Sequence, residues 1–306
     1  MKITALAGGV GGAKLIDGLS RVLNPSELSV IVNTGDDFIH YGLHISPDLD
    51  TITYTLGGMA NPFSGWGRFE ETYNMISSLE VLGGQTWFLL GDKDLAVHLE
   101  RTRLLNQGYP LSSVTSKFCH AWGIKQLILP MTDNDVRTVI DTVESGELSF
   151  QQYFVENKYR PQVKNIYFSG IETASPAPGV LEAIEQADGV IISPSNPWVS
   201  IDPISHIPGI GSALKKKIII AVSPIISGSA IKGPAAKMFS EMGIQPSSVA
   251  VFRHYSQYLS GFVLDNIDKS RSHEIPIPTL VTQTIMKSTQ DRVSLAQSVI
   301  DFLQTL

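Results

Sequence analysis

The stretch ITALAGGVGGAKL, residues 3–15, reads as a short apolar strand, a glycine-rich turn and the start of a helix. Beyond the turn, Leu15, Ile16, Leu19, Val22 and Leu23 recur at the spacing of one helix face. Asn24-Pro25 stops that helix, because the residue before a proline is driven out of the helical region. LSVIVNT (28–34) then reads as a second strand. The same rhythm returns in QLILPM (126–131), GVIISPS (189–195) and KIIIAVSP (217–224), which are continuous apolar runs. A strand covered on both faces requires such a run. The helical patterns PGVLEAIEQA (178–187) and GPAAKMFSEMG (233–243) follow proline-rich turns, and DRVSLAQSVIDFLQTL (291–306) puts Val293, Ala296, Ile300 and Leu303 on one side.

Strands alternating with helices predict an α/β fold, Rossmann-like, with a mostly parallel sheet and helices on both faces. Residues 61–124 differ. GRFEETYNMISSLEVLGG (67–84), DKDLAVHLERTRLLNQG (92–108) and SSVTSKFCHAWG (112–123) are helical in pattern, interrupted only by TWFLLG (86–91). They predict a small helical insertion beside a core made of residues 1–60 and 125–306. Residues 136–170 alternate in part and take no definite place in this scheme.

The chain has 306 residues, 43% hydrophobic and 17% charged, which is enough to build a large packed core. A formal net charge of −6 argues against a nucleic-acid partner. The single cysteine, Cys119, excludes a disulfide framework and reads as a small packed hydrophobe. No apolar run reaches the ~18–20 residues of a membrane span. MKITALAGG flows straight into the glycine turn and reads as strand rather than signal peptide, so a cytoplasmic protein is expected.

GGVGGAKL (8–15) lies where backbone N–H groups and a helix N-terminus can bind phosphate. It matches neither standard template. Lys14 stands where the dinucleotide fingerprint needs its third glycine, and Ala13 precedes Lys14 where a P-loop needs glycine. Gly8, Gly9, Gly11 and Gly12 exceed what a turn needs, so phosphate binding is expected there, with Lys14 beside it.

Four aspartates follow in NTGDDFIHYGLHISPDLDT (33–51): Asp36, Asp37, Asp48 and Asp50. The first pair sits at a strand end, where open α/β sheets bind their ligands. The second pair reads as another acidic turn, Pro47 to Thr51. Two acidic turns meeting a phosphate turn suggest a hard divalent cation held by oxygen, with Mg²⁺ the default.

GGVGGAKL, NTGDD, SPDLDT, YTLGG, GWGRFEETYN, LGDKDLAVHL, SPSNPWVSI and SPIISGSAIKGPA occur in this order. Together they resemble the 2-phospho-L-lactate transferase family over residues 1 to about 260, its bacterial members more closely than its archaeal ones. The resemblance implies a Mg²⁺-dependent transferase of coenzyme F-420 biosynthesis. Such an enzyme moves a phospholactyl-type group from a guanosine-diphosphate-linked donor to 7,8-didemethyl-8-hydroxy-5-deazariboflavin and releases GMP. It further implies that Asp36 and Asp50 serve the metal and the reaction, that Asn33, Asp37, Asp50 and Lys93 bind substrate, and that Ser195, Asn196 and Ser223 meet the guanosine part. Lys93 stands where many relatives have arginine, Lys232 has no assigned role, and a planar deazaflavin makes Trp66 and Trp87 candidates to cover it and His98, four residues past Asp94, a candidate to cap the site. A homodimer is also implied. The phosphoryl transfer would run by attack of the acceptor's terminal ribityl hydroxyl, with Asp50 taking its proton. The donor acid, whether phospholactate, phosphoenolpyruvate or phosphoglycerate, is not legible in any one motif. Two other readings fit the glycine turn and first acid: an NAD(P)-dependent oxidoreductase and a sugar-nucleotide-binding regulatory protein.

Overall fold

A computed structural model describes residues 1–230 and 233–306. Lys232 therefore lies outside the described residues. Seven strands form the central sheet: β1 (Ile3–Ala7), β2 (Leu28–Val32), β3 (Leu127–Pro130), β4 (Gly189–Ile192), β5 (Ile219–Val222), β6 (Gly261–Asp265) and β7 (Thr279–Thr282). Their spatial order is β7-β6-β5-β4-β1-β2-β3, and every neighbouring pair is parallel. In β1, Ile3 pairs with Leu28 on one side and with Gly189 on the other. The chain order reverses at this strand, so the carboxyl ends of β1 and β4 flank the crevice where such sheets take their ligands.

Period-two alternation divides the buried strands between two cores. Leu6, Ile31, Val190 and Ile192 join one core, with Val180 and Ile184 of the helix Val180–Gln186. Ala5, Ala7, Val30, Val32 and Ile191 join the other, with Leu15, Ile16 and Leu19 of α1 (Gly9–Val22). The C-terminal helix Thr289–Leu303 covers the same face through Leu295, Ala296, Val299, Ile300 and Leu303. Val293, expected on that face, is only half-buried.

The expected strands at 3–7, 28–34, 126–131, 189–195 and 217–224 are all present, the first over its full span and the others trimmed at their ends. SPDLDT is not a turn. It opens α2 (Pro47–Leu56), with Pro47 at the position where a fixed φ and a missing N–H cost nothing. Between residues 61 and 124, α3 (Asn74–Val81), α4 (Asp92–Asn106) and α5 (Leu111–Ala121) form. Residues 67–73, expected to be helical, are turns and extended chain. The unplaced 136–170 segment is largely a three-stranded antiparallel sheet, with Arg137–Thr142 between Gly146–Ser149 and Val163–Ser169. Its middle strand alternates half-buried and buried residues, which is the alternation visible in the sequence.

Candidate functional site

A cleft of about 1120 Å³ opens at the carboxyl ends of β1 and β4. One end is built from the glycine turn, the loop after β4 and residues 284–287. The Ser195 hydroxyl accepts from Gly8 N at 3.2 Å and donates to Gly8 O at 2.7 Å, which fixes the loop after β4 to the turn. Lys14 Nζ donates to Met286 O at 2.8 Å and ties α1 to the segment after β7. Asn196 and Ser223 also line this end. Their side chains hold local backbone: Asn196 accepts from Trp198 N, and Ser223 donates to Ile225 O.

The glycines have structural causes of their own. Gly9 sits at φ +64, in the left-handed region that disfavours a Cβ. A Cβ on Gly11 would overlap the carbonyl oxygen of Pro194, and backbone there has no room to yield. The number of glycines is thus accounted for by packing, and the phosphate expectation must stand on the turn's position instead. Gly11→Ala gains helix propensity of about 1 kcal/mol but overpacks this contact by about 1–3 kcal/mol. We expect net destabilisation, read as a lower urea midpoint; a midpoint at or above wild type would disprove the tight approach.

Asp48 reaches the same turn. Its carboxylate accepts from Gly9 N at 2.7 Å and from Asn33 Nδ2 at 2.9 Å. Burial raises its pKa to about 6, against the pull of these two donors. Asp36 is 5% exposed, and its Oδ1 has no hydrogen-bond partner. Burial first, and the charge of Asp48 second, push its carboxyl well above the usual range. Asp36 and Asp48 both line the cleft. Asp37 and Asn33 do not: Asp37 accepts from Ser46 Oγ at 2.7 Å and lies 3.0 Å from His44 Nε2, while Asn33 positions Asp48 and the Gly35 backbone. Both side chains are thus engaged in holding the backbone and side chains around Asp48 and Ser46.

Asp50 belongs to a different cluster. α2 and α4 meet through Arg101, a buried guanidinium that donates to both Asp50 oxygens and, at 3.2 Å, to His98 Nδ1. Arg101 also reaches the His44 carbonyl. With Nδ1 accepting, His98 is neutral, and burial lowers its pKa to about 4. Asp94, on the same face of α4, is raised to about 7 by burial and by the charge of Asp50. Its Oδ1 and the Tyr54 hydroxyl are both buried without a hydrogen-bond partner. Asp50, Tyr54, Asp94 and His98 line the cleft together with Trp66 and Trp87. Asp36 and Asp50 both line the cleft, and the charges acting on Asp36 are those of Asp48 and Asp37.

Lys93 lies in the first turn of α4. It is exposed, donates to Phe69 O at 3.1 Å, and is absent from the cleft lining. Asp94, His98 and Arg101 lie at spacings of four and three, one stripe along α4, whereas Lys93 is a turn of ~100° away from Asp94. That stripe was legible, and Arg101 is the residue it would have supplied.

Among the described residues no cluster of three or more acidic, His or Cys side chains fit to hold a metal forms. Nor is any described helix long and apolar enough to cross a membrane. Burial pushes the Cys119 thiol up to about 12, consistent with a packed, unreactive side chain.

Residues 3–293 match the model of the family described as 2-phospho-L-lactate transferase CofD. The phosphoenolpyruvate transferase of Thermobifida fusca is 43% identical over 88% of this chain and 87% of its own. That of Streptomyces griseus is 42% identical over 90% and 89%. The 2-phospho-L-lactate transferase of Methanocaldococcus jannaschii is 40% identical over 99% of both. Among solved structures, a UPF0052 family member from Bacillus halodurans superposes with a TM-score of 0.66 over 98% of each chain, at 14% identity. That likeness confirms the fold.

Proposed function

The chain belongs to the 2-phospho-L-lactate transferase family, and on that premise we propose the following reaction. The terminal ribityl hydroxyl of 7,8-didemethyl-8-hydroxy-5-deazariboflavin attacks the acid-bearing phosphorus of a guanosine-diphosphate-linked donor. A new O–P bond forms, the bond from that phosphorus to the GMP oxygen breaks, and GMP leaves. The observation that carries the reading is one cleft with two chemically different ends. A polar end lies at the sheet's switch point, and an acidic, tryptophan-lined end lies at the insertion. At about 1120 Å³ it exceeds the ~300–1,000 Å³ of a usual single-ligand pocket, which suits two substrates side by side.

The proton of the attacking hydroxyl goes to Asp94. A general base works best with a pKa near the working pH, and Asp94, at about 7, has it. Asp50, the base expected from sequence, has both oxygens engaged by Arg101 and is better suited to orienting the hydroxyl. Asp36 and Asp48 fit a hard cation: one buried oxygen without a partner, and two acids that burden each other in its absence. Mg²⁺ bound there would supply charge neutralisation and polarisation of the phosphorus. The homodimer and the cytoplasmic setting are carried in this reading from the family.

The relatives' names divide between phosphoenolpyruvate and 2-phospho-L-lactate, so the test uses each donor. Purified protein incubated with deazaflavin and one guanylylated donor at a time should yield a product whose mass identifies the acid transferred. Excess EDTA should abolish that product, and added Mg²⁺ should restore it. Absence of product with all of the phospholactate, phosphoenolpyruvate and phosphoglycerate donors would sink the reading; full activity in EDTA would sink the metal.

A further inference from the structure

A second cavity, of about 430 Å³, is lined from the helices Ala235–Glu241 and Ser248–Tyr255, the loop between them and the 3₁₀ segment Asn266–Glu274. It shares no lining residue with the cleft. Phe239, Val249 and Ala250 are buried and give it an apolar floor, while Arg253, Arg271 and Glu274 give it a charged rim. Val249 and Arg253 stand four residues apart, so one face of a single helix supplies both floor and charge. Glu274 is already occupied, because Arg271 Nε donates to its carboxylate at 2.9 Å. Arg253 is exposed, and its guanidinium has no hydrogen bond or ion pair among the described residues. The cavity therefore sets one unanswered cation beside an apolar floor.

The cavity and the cleft share two walls. In the helix Ala235–Glu241, Ala235 lines the cleft and Phe239, one turn on, lines the cavity. In the segment 196–202, Asn196, Val199 and Ser200 line the cleft, whereas Trp198 and Asp202 meet His254 of the cavity. The Trp198 ring lies 4.3 Å from His254 at 74° and 5.5 Å from Phe239 at 62°. Its Nε1 is buried without a hydrogen-bond partner, so the indole keeps its place by packing against these rings. His254 Nε2 lies 2.8 Å and 3.0 Å from the two Asp202 carboxylate oxygens. The Trp198 backbone N–H in turn donates to Asn196 Oδ1 at 3.0 Å. A contact made on His254 is thus two side chains away from the cleft.

We propose that this cavity takes a small organic anion, an apolar body no larger than a benzene ring bearing one phosphate or carboxylate, and that its occupant stiffens the segment 196–202. The volume lies within the ~300–1,000 Å³ of ligand pockets. The Arg253 guanidinium presents two parallel N–H groups, the fork that carboxylate and phosphate oxygens match. The apolar body covers Phe239, Val249 and Ala250. Resting against His254, the occupant restricts Trp198 and, through it, Asn196. The inference stands apart from the reaction proposed above, because neither the anion nor the readout involves the nucleotide or the deazaflavin.

The test titrates phenyl phosphate, benzoate, inorganic phosphate and benzyl alcohol by calorimetry into wild type, Arg253→Ala and Ile244→Trp. Arg253 is exposed and Ile244 is 38% exposed, so both variants should fold, which melting curves check. Tryptophan at 244 fills the cavity from its edge. One of the two ring-bearing anions should bind wild type at least about tenfold more tightly than phosphate, which lacks the ring, and benzyl alcohol, which lacks the charge. Whichever of the two binds more tightly names the charged group. Each variant should weaken it at least about tenfold, the worth of one charge-assisted hydrogen bond. With wild type saturated by that anion, backbone hydrogen exchange in residues 196–202 should slow several-fold. In Arg253→Ala at the same anion concentration it should not change. Equal affinity for all four compounds, or none for the ring-bearing anions, overturns the site. So does undiminished binding in the folded variants, which would put the anion in the cleft. Binding without slower exchange in 196–202 overturns the coupling.

Discussion

Arg101→Met should yield a protein that is strongly destabilised and has lost turnover. Arg101 is 3% exposed, and its guanidinium donates to both oxygens of Asp50, itself buried on α2. It thereby links α2, α4 and the His44 backbone. Removing one member of a buried ion pair leaves the other charged and unsolvated, at about 3–5 kcal/mol. In a chain of this size, that lowers the melting temperature by on the order of 10 °C. The double variant Arg101→Met with Asp50→Asn removes both charges and should recover much of that loss. Turnover should not recover, because the double variant lacks the Asp50 carboxylate that orients the attacking hydroxyl. Melting curves and product formation on the three proteins decide the matter. A single variant as stable as wild type would mean the pair does not hold this end together.

The same residues show where the sequence was legible. The central sheet could be read because strands buried on both faces are near-continuous apolar runs, as β1, β4 and β5 are, with Thr4 the one polar side chain among them. Two strands escaped for opposite reasons. β6 is a five-residue run bounded by Gly261 and Asp265, and β7 is an edge strand, half-buried throughout. The 136–170 segment was unplaced because its short antiparallel strands pack partly on the core and partly face solvent.

Within the site, the spacing of charges said that acids would crowd, but not which would meet. That depends on α2 beginning at Pro47, which sends Asp48 back to the glycine turn and Asp50 towards α4. Lys93 was picked by position in a motif, whereas helix periodicity along α4 favours Asp94, His98 and Arg101. The glycine turn was read as an excess of freedom. Its composition answers instead to a positive φ at Gly9 and to close neighbours at Gly8, Gly11 and Gly12, among them Pro194 and Ser195 from nearly two hundred residues away in the chain.

Asp94→Asn should abolish most of the activity and, above neutral pH, make the protein more stable. Burial and the charge of Asp50 raise the Asp94 carboxyl to about 7, so the folded chain holds this proton more tightly than the unfolded chain. The resulting stabilisation is complete below the ordinary carboxylate range and is lost as pH rises through about 7. Asparagine is neutral at every pH and keeps it. Variant and wild type should therefore melt together near pH 4, and the variant should melt several degrees higher at pH 8. Catalysis runs the other way. Loss of a general base costs about 10²–10⁴ in rate, and the rise of kcat/KM through pH 7 should vanish from whatever activity remains. The two readouts separate a base from a structural acid. A merely structural Asp94 would change the melting profile and leave the pH-rate profile where it was. If the variant melts below wild type at pH 8, or turns over with the wild-type pH profile, Asp94 is not the proton acceptor.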